Sequence, residues 1–146
     1  MSKGMNAREV LNNLKTDIMW AEDTYTRSLS VREVCNDLSI FDWWNERISV
    51  RQLKAMQSFL KTAIKHGYDG YVCFKVGAAG CASGMWAHKR ESDTGYSPDG
   101  EFLYRSFYSS KNWWDAADED GTLITEKNGV RWDEYNTVNK LMAAMA

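Results

Sequence analysis

The chain has 146 residues, a formal net charge of −2, 44% apolar and 26% charged residues, and a single proline. That length suits one core, so one domain is expected over 1–146, with residues 1–5 flexible. The composition excludes a disordered chain, and the near-neutral charge excludes a duplex-DNA binder that relies on a large basic excess.

The first half predicts helices. Asn6 followed by Glu9 marks a helix start, and Val10, Leu11, Leu14 and Ile18 recur at helical spacing. Ser30 and Glu33 form a capping-box pattern before Val31, Val34, Cys35 and Leu38. Ser39 is expected to start a short helical turn carrying Phe41, Trp43, Trp44 and Ile48. Ser49 and Gln52 repeat the capping pattern. Leu53, Met56, Leu60, Ala63 and Ile64 then line one helix face, and Gly67 ends it in the left-handed conformation.

The second half predicts strands. Tyr71 to Val76 is rich in β-formers and is expected to pair with Met85 to Arg90 across the glycine-rich segment 77–84. Ser97-Pro98-Asp99-Gly100 is a turn signal before a strand from Glu101 to Tyr108. Thr122 to Glu126 and Val130 to Trp132, joined by Asn128-Gly129, read as a tight hairpin. Tyr135, Val138, Leu141, Met142 and Met145 fit a last helix, with Asp133 as its cap. The expected fold is α+β: an N-terminal helical cluster on an antiparallel sheet of about 4–5 strands, with a C-terminal helix.

Chemistry is sparse. Cys35, Cys73 and Cys81 cannot all pair within one chain and none forms a Cys-x-x-Cys motif, so they read as buried apolar residues in a reducing compartment. No apolar run reaches the roughly 20 residues of a membrane span, and Met1-Ser2-Lys3-Gly4 lacks the apolar stretch of a signal peptide. A cytoplasmic location with no membrane partner is therefore expected. Cys81 and His88 are the weak candidates for a thiol nucleophile with its base, with no orienting acid in sight. Two histidines without paired spacing give no zinc site. Asp115, Asp118, Glu119, Asp120, Gly121 and Glu126 fail as a calcium loop, because aligning Gly121 puts Ala116 and Lys127 at the end ligand positions. No metal and no cofactor are expected.

Gly77, Gly80, Ser83 and Gly84 could bring backbone N–H groups close to an anion, although neither a Walker loop nor a dinucleotide fingerprint follows. The plainer reading of the segment is a hairpin connection or bulge. Arg51, Lys54, Lys61 and Lys65 lie opposite the apolar face of their helix; such a stripe contacts phosphates or an acidic partner, or is simply solvated. In the sheet, Val72, Phe74 and Val76 alternate with Tyr71, Cys73 and Lys75, and Phe102, Tyr104 and Ser106 with Leu103, Arg105 and Phe107. A face left open would show aromatics beside Lys75, Lys89, Arg90, Arg105 or Lys111, a platform for single-stranded nucleic acid. The alternative is that helices cover both faces.

Tryptophan is the unusual feature, with 7 in the chain. In the pairs Trp43-Trp44 and Trp113-Trp114, neighbours point in different directions, so one of each can be left near the surface, where tryptophan is enriched at binding sites. The expected contact residues are Trp43, Trp44, Trp113, Trp114, Arg105 and Lys111.

The stretch Gly80-Cys81-Ala82-Ser83-Gly84-Met85-Trp86-Ala87, with Leu103-Tyr104-Arg105-Ser106-Phe107, resembles small uncharacterised accessory proteins of tailed bacteriophages. The resemblance carries over no site residue. It implies a product acting in the bacterial host cytoplasm by binding and blocking a host or defence protein. With no credible catalytic set, the expectation is a non-enzymatic binding protein with a host protein as partner. The alternatives are single-stranded nucleic acid binding through the sheet, and a small-molecule or nucleotide site, sequestering or hydrolytic, at 77–84. The oligomeric state is left open.

Overall fold

Asn6 opens the first helix, α1 (Ala7–Asp23): its side-chain oxygen accepts the Glu9 N–H at 3.0 Å. The computed structural model describes residues 6–30, 39–40, 47–76, 83–91, 100–107 and 112–146. Residues 1–5 lie outside these, as does the helix expected over 31–38. After α1 come β1 (Ser28–Ser30), β2 (Ser39–Ile40), β3 (Arg47–Ser49) and α2 (Val50–Lys65). Strands β4 (Val72–Val76), β5 (Ser83–His88), β6 (Phe102–Ser106) and β7 (Trp114–Ala117) follow, then α3 (Ile124–Asn128) and α4 (Val138–Met145). The fold is α+β, as expected.

Each long helix is held by its predicted signals. The Ser49 hydroxyl accepts the Gln52 N–H at 3.1 Å and starts α2, and Gly67, with φ of 89°, leaves it. Glu22 near the end of α1 pairs with Lys54 near the start of α2 at 3.5 Å, while Arg8 near the start of α1 pairs with Asp69 beyond the end of α2 at 3.5 Å. The two helices therefore run antiparallel. Their buried stripes, Val10, Leu14 and Ile18 from α1 and Leu53, Met56, Phe59 and Leu60 from α2, enter one core.

The main sheet has the order β2-β4-β5-β6-β7; β4 to β7 are antiparallel, and β2 runs parallel to β4 at one edge. A separate ribbon pairs β1 with β3. Register fixes the faces. Phe74, Met85, Arg105 and Trp114 stand abreast, as do Val72, Ala87, Leu103 and Ala116, and the apolar members of both rows join the helical core. On the other face Cys73, Trp86, Tyr104 and Asp115 stand abreast.

Three local expectations are corrected. Ser39 and Ile40 form an edge strand, not a helical turn, and Ile48 sits in β3 with its side chain fully buried. The hairpin expected from Thr122 to Trp132 is the single helical turn α3: Gly129 is left-handed at φ of 64°, and the Val130 N–H reaches back to the Thr125 carbonyl at 2.9 Å. That is a glycine-terminated helix end, which shares the Asn-Gly signal of a hairpin. The last helix is capped by Thr137, whose hydroxyl accepts the Lys140 N–H at 3.3 Å, and not by Asp133.

Strand β7 was not foreseen. All four of its residues are buried, so its sequence shows no alternation. Its outer edge is closed by the Trp114 N–H donating to the Tyr135 carbonyl at 2.8 Å and by a bridge from Ala117 to Leu123. Asp115, fully buried, completes the closure. Its carboxylate accepts the Ala116 N–H at 2.9 Å, the Thr125 N–H at 3.3 Å and the Thr125 hydroxyl at 2.7 Å. Asp115→Ala strands three buried donors and is expected to cost about 3 kcal/mol in urea unfolding, with Asp115→Asn costing less. A loss below about 1 kcal/mol would show that this carboxylate does not hold the edge.

Candidate functional site

Burying one stripe of α1 decides what its opposite side shows. Ala7, Val10, Leu14, Ile18 and Ala21 face the core. Trp20 lies two residues from Ile18, roughly 200° round the helix, and points away from it. It is 53% exposed, beside Met19 at 57%. Thr24 then stops the helix: its N–H reaches the Trp20 carbonyl at 3.0 Å and its hydroxyl the same oxygen at 2.8 Å. The Thr26 N–H closes on the Ala21 carbonyl at 2.8 Å. Within that closed turn Tyr25 is left-handed, at φ of 54°, and 94% exposed.

The conformation of Tyr25 carries information. A left-handed backbone costs a bulky L-residue about 1 kcal/mol or more, and glycine would adopt it freely. A tyrosine standing there with its ring in solvent gains nothing from its own fold in return. Met19, Trp20 and Tyr25 thus present three large side chains to solvent within seven consecutive residues. Trp132 and Met145, 41% and 37% exposed, lie elsewhere in the chain.

The tryptophans chosen from sequence behave differently. Trp114 is a core residue: it is 5% exposed, its ring lies 5.7 Å from that of Phe59, and it cannot be a surface contact in this fold. Trp113 is half-buried and packs on Tyr104 at 5.3 Å, with Trp86 on the other side of Tyr104 at 4.8 Å. Arg105 is half-buried, its guanidinium 4.9 Å from the Trp114 ring and 5.7 Å from that of Phe107, with Nε donating to Asn112 at 3.3 Å. Burial lowers its pKa from the ordinary guanidinium range. Arg105 therefore braces the aromatic end of the core. Trp43, Trp44 and Lys111 lie outside the described residues.

The glycine-rich segment is described only at its end. Gly77, Gly80 and Cys81 lie outside the described residues, and Ser83 begins β5. Gly84 is a buried strand residue beneath the Tyr104 ring; a Cβ there would come within 2.5 Å of the Tyr104 hydroxyl oxygen. Its small size serves ring packing. His88, 4% exposed, lies between the rings of Tyr71 and Phe102, with Nδ1 facing the Tyr71 carbonyl at 3.2 Å. Burial pushes the Cys73 thiol up to about 12, so it stays protonated and unreactive at neutral pH. Among the described residues no cluster of histidine, cysteine and carboxylate side chains could hold a metal ion, and no helix is long and apolar enough to cross a membrane.

No protein-family model matches the chain, and no curated protein or solved structure matches it significantly. The site therefore has to be read from its own chemistry.

His88 supplies a pH test of the sheet. Burial, and to a lesser degree the nearby Arg90 charge, hold its imidazole below the ordinary value, against the Tyr71 hydrogen bond that raises it. The unfolded chain then takes up the proton first. Stability should fall as pH drops through about 6.5 and level off below the folded-state pKa. Melting curves from pH 8 to pH 5 should show a pH-dependent loss in the wild type that is absent from His88→Gln, and parallel curves for the two would refute this.

Proposed function

We propose that this chain is a non-enzymatic binding protein that grips another protein through the corner formed by Met19, Trp20 and Tyr25. The observation that carries the reading is the left-handed, 94% exposed Tyr25 just past the end of the helix that carries a half-exposed indole, Trp20. Aromatic rings held on a rigid element lose little entropy on docking, which is why tryptophan and tyrosine dominate interface hot spots. The helix supplies the rigidity and the Thr24 turn fixes the backbone that carries the second ring. The resemblance to tailed-phage accessory proteins makes a host or defence protein the partner class, with occupation of its working surface as the mode of inhibition. Of the two candidates for a thiol mechanism, Cys81 lies outside the described residues and His88 is enclosed, which speaks for a binder.

The ladder of Trp86, Tyr104 and Trp113 favours a second reading, single-stranded nucleic acid stacking on the sheet. Against it, Tyr71, Cys73, His88 and Asp115 on the same face are buried, which leaves no open platform. An oligonucleotide bound in a strongly salt-dependent way would favour that reading.

The binding-protein reading is tested by affinity capture from bacterial lysate, identification of the partner, and titration with variants. Trp20→Ala and Tyr25→Ala should each weaken the partner by about 30-fold, the effect of a hot spot of roughly 2 kcal/mol. Their melting temperatures should stay at the wild-type value or, for Tyr25→Gly, rise slightly as the backbone strain is relieved. A partner bound equally well by all three variants would sink the assignment.

A further inference from the structure

The two antiparallel helices leave a groove on their outer side, of about 470 Å³. Its floor is apolar: Leu11 from α1 and Ile64 from α2, both only partly buried against the core. Its rim is cationic, with Arg8 and Lys15 on one helix and Lys61 on the other. Among the described residues no carboxylate lines it; the polar remainder is the amides Asn12 and Gln57. Arg8 is partly used by Asp69, whereas among the described residues Lys15 and Lys61 have no ion-pair partner. The Arg8–Asp69 pair lies at one end of it. On α1 the lining runs from Arg8 to Lys15, a rise of about 10 Å, close to two turns.

We infer that this groove receives an acidic amphipathic helix of the partner protein. The inference rests on the binding-protein reading above and names the partner's chemistry. Two helices side by side offer a third a seat along their shared seam, with its apolar residues against Leu11 and Ile64. Carboxylates flanking that seam would fall opposite Lys15 and Lys61. A nucleic acid satisfies the cations but sets a charged backbone over an apolar floor, so the groove favours a peptide. Met19, one turn beyond Lys15 on the same outward side, links the groove to the aromatic corner. One partner element can then engage both.

The probe is a labelled synthetic peptide of about 18 residues, with leucine at helical spacing and glutamate on both flanks. A shuffled peptide of identical composition and a labelled oligothymidylate serve as comparisons, all read by fluorescence anisotropy on the full chain. The amphipathic peptide should bind saturably and shift the methyl resonances of Leu11 and Ile64. Its affinity should drop about 10-fold or more in Lys15→Glu/Lys61→Glu, both exposed positions that leave the melting temperature in place. The shuffled peptide and the oligonucleotide should not compete. Absence of saturable binding, equal binding of the shuffled peptide, methyl shifts elsewhere, or binding of the oligonucleotide in place of the peptide would each overturn the inference. If the captured partner is retained by Lys15→Glu/Lys61→Glu yet lost by Trp20→Ala, the groove is wrong while the binding-protein reading stands.

Discussion

Phe59 sits where helix meets sheet, and the two-layer structure depends on that contact. Its ring is fully buried, 5.7 Å from Trp114 and 6.3 Å from Phe107. Those rings come from α2 and, far along the chain from it, from the end of β6 and from β7. Burying a phenylalanine of this kind contributes about 2–3 kcal/mol, and it also sets the angle at which α2 lies on the sheet. Arg105 belongs to the same assembly: its guanidinium covers the Trp114 and Phe107 rings, so a cation closes the rim of an aromatic core. With α2 fixed, α1 has one place to go, antiparallel beside it with its apolar stripe on the same core. The outward stripe of each helix is then fixed by geometry, and the groove and the aromatic corner both lie on it.

The other face and the far edge are closed by polar means. Asp115 shows how: a carboxylate in the middle of a strand, fully enclosed, holds α3 to the strand by two hydrogen bonds from Thr125 and accepts a third from its own neighbour Ala116. An edge strand with free N–H groups invites pairing with other chains. Here the Tyr135 carbonyl and the bridge to Leu123 occupy that edge. Adhesion through β7 is thereby blocked.

Much of the architecture was legible because its signals are local. Asn6, Ser49 and Gly67 do what caps and terminators do, and the alternation in β4 and β6 places the expected residues on the expected faces. The failures have physical causes. β7 is buried on all sides, and its Trp-Asp-Ala-Ala sequence alternates with nothing. β2 is two residues long and exists through parallel pairing with β4, a contact between distant segments that no local pattern announces. Asn128-Gly129 suits a hairpin and a helix end equally well, and what precedes it decides: Thr125 is pinned by Asp115, which winds the chain into a turn of helix.

The exposure of the aromatics was less legible for a related reason. A pair of tryptophans says only that two rings point in different directions. In Trp113-Trp114 one ring fills the core and the other packs on Tyr104. Trp20 is a lone indole, but its position was readable: it breaks the stripe running through Leu14, Ile18 and Ala21, and a bulky apolar residue on a helix's polar side has no folding reason to be there. The useful quantity is therefore the phase of each aromatic against its own helix, not the number of aromatics. Lys15 passes the same test, as it lies on the side where the stripe gives way to solvent, within reach of the seam with α2. An indole on α1, a strained tyrosine just past its end, and Lys15 and Lys61 facing each other across the two helices without an ion-pair partner among the described residues are groups that the fold itself does not use.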